Sequence, residues 1–62
     1  MSAGPELSSV SSALGELTKR IGKTAESFSG TTRDDLAATL FDVERALVGA
    51  KRRLDTVVSA LL

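Results

Sequence analysis

Eight apolar residues in the second half of this 62-residue chain, Leu36, Leu40, Val43, Leu47, Ala50, Leu54, Val57 and Leu61, are spaced 4-3-4-3-4-3-4. A 3-4 alternation places one residue per helical turn on a single line, and no strand or loop produces it. One of its two rows is Leu four times running (Leu40, Leu47, Leu54, Leu61). Four heptads without a slip therefore predict one long helix, over about 32–61, built to pack on other helices. Phe41, Val48, Val58 and Leu62 lie beside the line and widen it. A stripe wider than two rows favours a bundle over a two-stranded coil.

The first half repeats the pattern. Leu7, Val10, Leu14, Leu17, Ile21 and Phe28 follow a 3-4 spacing, with Thr24 filling the one gap. This predicts a helix over about 5–28. Gly4-Pro5 supplies its start, because the missing proline N–H is one that the first turn leaves unpaired anyway. Glu6 suits the positive end of the helix dipole, and Glu16 can pair with Arg20 four residues on. Small residues (Ser8, Gly15, Gly22, Ser29) recur every seven positions beside the apolar line. Glycine in a helix interior costs about 1 kcal/mol relative to alanine. Either another backbone approaches there, or these are tolerated surface positions.

Between the helices, "FSGTTRDD" reads as a stop and a start, with the turn at 29–31. Gly30 suits the left-handed conformation that ends helices. Thr31 or Thr32 is expected to cap the second helix, Thr32 with Asp35 resembling a capping box. Asp34 and Asp35 stand where the dipole favours acids. So short a connection makes the helices antiparallel neighbours. The expected fold is a single all-α domain over 1–62, an antiparallel helical hairpin. A first helix of ~22 residues is ~33 Å long and a second of ~30 residues ~45 Å, so Val57, Val58, Leu61 and Leu62 are expected to project past the first helix.

Two helices enclose no interior, and a chain this short buries a marginal core. With no Cys and no His, neither a disulfide nor a metal can compensate. Assembly into a four-helix bundle answers this, most simply as a homodimer or higher homo-oligomer, or else with a different helical protein. The residues expected at that interface are Leu14, Leu17, Ile21, Leu40, Leu47, Leu54, Val57, Val58 and Leu61.

Chemistry is not expected. Eight Ser have no His as base and there is no thiol, so no nucleophile is activated. Asp42 and Glu44 are two apart and point to different faces of a helix. No glycine-rich phosphate loop appears. No catalytic, metal or cofactor site is predicted, and the expected role is a non-catalytic interaction module or accessory subunit. Eight basic and eight acidic residues cancel, so nucleic acid is not an expected partner. The one basic cluster, Lys51, Arg52 and Arg53, is a candidate contact for an anionic partner such as a nucleic acid or a membrane surface, although Asp55 lies within pairing distance in sequence. No stretch approaches the ~20 apolar residues of a membrane span. No leader pattern opens the sequence, so the cytoplasm is the expected location, with leaderless secretion left open.

Phe28-Ser29-Gly30 at the bend, followed by an amphipathic second helix, resembles the WXG100, ESAT-6-like family over residues 28–62. That resemblance implies a leaderless secreted hairpin that dimerises into a four-helix bundle and leaves by a type VII route. The chain departs from the family pattern: the bend aromatic is Phe in place of Trp, the first helix is shorter, and there is no Tyr for the C-terminal secretion signal. It stands as the alternative to the interaction-module reading. "GPELSSVSSALGELTKRIG" is also similar, more faintly, to Pro-Glu-bearing helical proteins of the same route. The Ala-, Leu-, Asp- and Arg-rich composition is compatible with a high-GC bacterial source.

Overall fold

A computed structural model describes residues 2–62. It contains two helices, α1 (Ala3–Phe28) and α2 (Asp34–Leu61), packed along their whole length in a rod with extents of 49 × 14 × 11 Å. Gly4 lies against Leu62, Ser11 against Asp55, Gly15 against Lys51 and Gly22 against Glu44. Residue numbers rise on α1 as they fall on α2, so the hairpin is antiparallel.

The helix ends differ in detail from the sequence expectation. α1 begins at Ala3, two residues before Pro5, and the Glu6 N–H reaches back to the Ser2 carbonyl. Pro5 is still in the first turn, where its ring has no preceding turn to clash with. α2 begins at Asp34 and not at residue 32. One helix gains residues and the other loses them, giving 26 and 28. The projecting tip expected for α2 is therefore absent: Leu62 reaches Gly4, and Val58 is buried between the helices.

The connection is a tight turn. The Ser29 N–H donates to the carbonyls of Ala25 and Glu26, and Gly30 follows at φ +77°. Thr31 is the residue that organises the entry to α2. Its hydroxyl donates to the Phe28 carbonyl and accepts the Arg33 N–H at 3.1 Å. Asp34 folds back to accept the Gly30 N–H. The expected Thr32–Asp35 capping box does not form, because Asp35 is taken by Arg33 at 3.2 Å. Both acids nonetheless occupy the first turn of α2. Glu16 also takes a different partner from the one expected, Lys19 at 3.9 Å in place of Arg20.

The line along which the helices meet is made of small residues. On α1 the buried positions are Gly4, Ser11, Thr18, Gly22 and Ala25; on α2 they are Ala37 and Val58. No large side chain is fully buried anywhere among the described residues. Thr18 satisfies its buried hydroxyl by donating to the Leu14 carbonyl at 2.7 Å. At Gly15 and Gly22, where the sequence left open a close backbone approach or tolerated surface positions, the nearest atoms belong to a long polar side chain and not to a backbone. The Lys51 stem crosses Gly15, the Glu44 carboxylate lies over Gly22, and Ser29 is exposed in the turn.

Candidate functional site

Each helix carries two parallel rows, and the hairpin uses the less apolar one. A helix turns about 100° per residue. A row shifted by one residue therefore faces a different direction. On α1 the small row (4, 11, 18, 25, with 15 and 22) meets α2, while the apolar row stands to one side. There Leu7, Leu14, Ile21 and Phe28 are half-buried, and Val10 and Leu17 are exposed. On α2 the row through Ala37, Phe41, Glu44, Lys51, Asp55 and Val58 meets α1. The eight-residue heptad line is again displaced: Leu36, Leu40, Leu47 and Leu54 are half-buried, while Val43, Ala50, Val57 and Leu61 are exposed.

Both displaced rows fall on the same side of the hairpin. Leu14, Leu17 and Ile21 of α1 and Leu47 of α2 line one open groove of about 420 Å³, with Arg20 and Thr24 at its edge. There the apolar rows of the two helices form one shared surface. Its inner rows close over the helix junction. Its outer rows stand in solvent: Leu17 is 49% exposed and Leu61 51%. Of the nine residues expected at an interface, Leu14, Leu17, Ile21 and Leu47 line this groove, and Val58 is buried within the hairpin.

The polar side of the junction is a small network. The Ser11 hydroxyl donates to the Asp55 carboxylate, and Lys51 Nζ pairs with its other oxygen at 2.9 Å. The Ser11 hydrogen bond first, and the Lys51 ammonium second, hold the Asp55 carboxyl below its usual value of 3.8. Asp35 is likewise held below 3.8, chiefly by its hydrogen bond from Arg33. This network divides the basic cluster. Lys51 is committed to the junction, whereas Arg52 and Arg53 are exposed and make no ion pair among the described residues. Asp42 pairs with Arg45 on the surface while Glu44 lies on α1, so these two acids do not converge. Among the described residues no three His, Cys, Asp or Glu side chains are grouped as metal ligands, and no helix is long and apolar enough to cross a membrane.

The periodicity found both apolar rows but not their relation. The signal for the true junction was present in the small residues beside them, Gly15 and Gly22 above all. Adding Gly4, Ser11, Thr18 and Ala25 to that set would have completed a second 3-4 line. No family model matches the chain, and no curated protein or solved structure matches it either.

Proposed function

We propose that this chain is a non-catalytic helix-packing module, an accessory or adaptor subunit, that self-associates through the apolar face formed jointly by α1 and α2. The observation that carries this reading is the face itself. An open apolar groove lined by Leu14, Leu17, Ile21 and Leu47, with Val10, Val43, Val57 and Leu61 exposed on the same heptad rows, is the kind of surface that marks an interaction site. Burial of each exposed Leu or Val is worth roughly 1.5–3 kcal/mol. The hairpin's own junction, with no large side chain fully buried, offers little to hold two helices together alone. Covering the face supplies the missing core and makes a four-helix bundle.

The test is the mass in solution by light scattering, read with a refractive-index detector because the chain has neither Trp nor Tyr. A dimer or tetramer that is helical by circular dichroism is the expected result. A stable helical monomer at tens of micromolar would overturn the proposal. The secreted-hairpin and anionic-surface readings remain secondary. For the latter, Arg52 and Arg53 are the two cations left free to act, and salt-sensitive binding to anionic vesicles or DNA would support it.

A further inference from the structure

The two rows on each helix stand in one fixed relation. On α1 the residues buried against α2 include Gly4, Ser11, Thr18 and Ala25. Three positions after each comes a member of the apolar row: Leu7, Leu14, Ile21 and Phe28. On α2 the relation is the same. Ala37 and Val58 are buried, and Glu44 and Lys51 lie on α1. Three positions after these four come Leu40, Leu47, Leu54 and Leu61. Residues three apart on a helix are about 60° apart around its axis. Turning each helix by that angle exchanges one row for the other on both helices at once. The same two helices therefore have two consistent packings. One has the small and charged rows inside and the groove open. The other has the apolar row of each helix facing the other helix and the groove closed.

Different contributions favour each packing. Closing completes the burial of Leu side chains that are half-buried as the helices now stand, which the hydrophobic effect favours. The open packing has contacts that closing would break. The Ser11 hydroxyl of α1 donates to the Asp55 carboxylate of α2. Lys51 holds the other carboxylate oxygen at 2.9 Å from within α2, so the Ser11 bond is the member of the network that crosses between the helices. Hydrogen bonds to an ionised group are stronger than neutral ones. The Glu44 carboxylate fills the space that the missing Cβ of Gly22 leaves, and the Lys51 stem does the same at Gly15. Packed interfaces of this kind change between discrete arrangements and do not deform continuously.

We infer that the hairpin is a two-position device, in which the Ser11–Asp55 bond and the Glu44 carboxylate seated over Gly22 are the catch that keeps the groove open. Released, each helix turns by about 60° and the apolar rows close on each other. A surface that docks in the groove binds the open position alone, so docking and the catch favour the same state.

The chain has no cysteine, so Ser12→Cys and Arg52→Cys, both at exposed positions, accept a pair of nitroxide labels. Ser12 stands two residues before Leu14 and Arg52 two before Leu54. Two residues are about 200° around the axis, so each label sits on the side of its helix away from the apolar row. Turning the apolar rows inward carries the labels to the outer sides of the pair. Pulsed dipolar spectroscopy reads their separation within one chain when labelled protein is diluted into unlabelled protein, so the result does not depend on the self-association proposed above. In the Ser11→Ala, Asp55→Ala double variant the distance is expected to lengthen by roughly 10 Å, about one helix diameter. Gly22→Leu removes the seat of Glu44 from the other side and raises helix propensity; the same lengthening is expected. A variant that stays helical by circular dichroism and keeps the parent distance would overturn the device. Loss of helicity in both variants would also overturn it, since no second packing would then exist.

Discussion

At the scale of single residues, two glycines make opposite predictions. Gly30 takes φ +77° in the turn, a conformation that costs an L-residue about 1–2 kcal/mol. Gly49 lies inside α2 with no atom within 4 Å of where a Cβ would stand. Gly30→Ala is expected to lower stability by about 1 kcal/mol and Gly49→Ala to raise it by about the same amount. In a domain this small each corresponds to a shift of roughly 4–8 °C in the thermal midpoint. Equal shifts of the same sign would contradict the backbone assignment. Asp55 makes a pH prediction. Its carboxyl is held below 3.8 by Ser11 and Lys51, so the folded chain resists protonation more than the unfolded chain does. The stability this gives is present above pH 3.8 and is lost as the pH falls through the lowered value. Asp35, held down by Arg33, acts in the same window. Asp55→Asn should therefore flatten the decline of the midpoint below about pH 4, leaving the share due to Asp35. An unchanged slope would mean that the Ser11–Asp55–Lys51 network does not form.

At the scale of the helices, exposure alone does not identify the working surface; the row does. Leu17 and Val48 are exposed to nearly the same degree, 49% and 44%. Leu17 lines the shared groove, whereas Val48 is not among the residues that line it. A charge at Leu17 would be buried without a partner on assembly, while one at Val48 would stay in water. Leu17→Asp is expected to shift the mass from oligomer to monomer by light scattering, and Val48→Asp to leave it unchanged. If both variants dissociate, or neither does, the face is misassigned. Leu47→Asp is harsher, since Leu47 is half-buried at the helix junction, and it should reduce helicity as well as mass.

At the scale of the whole molecule, the hairpin has an economy that favours assembly over independence. Its junction is lined by Gly, Ala, Ser and Thr on α1, which brings the helices together but buries little apolar area. The apolar area lies on the face, where only a second surface can cover it. Stability coupled to association depends on protomer concentration. The thermal midpoint is expected to rise by several degrees for each tenfold increase in chain concentration, checked by circular dichroism from about 1 to 100 µM. A midpoint independent of concentration over that range would show that the hairpin is stable without a second copy.

The sequence by itself determined the two helices, the turn between them and the identity of the apolar rows. These follow from local rules: a 3-4 spacing has one helical solution, Gly30 has the backbone freedom a stop requires, and Asp34 and Asp35 match a helix start. It located the helix ends only to within two residues, because capping was settled by competition. Arg33 drew Asp35 away from Thr32, and Thr31 took the organising role. What only the tertiary structure decided was which row faces inward. A helix carrying a small row and a Leu row can pack on either, and periodicity ranks them by apolarity. In the hairpin the small row faces inward, because glycines at 15 and 22 let the Lys51 stem and the Glu44 carboxylate lie across α1, while the Leu rows of both helices are left together on one side. That choice depends on how two surfaces fit in three dimensions, and no single helix holds the information.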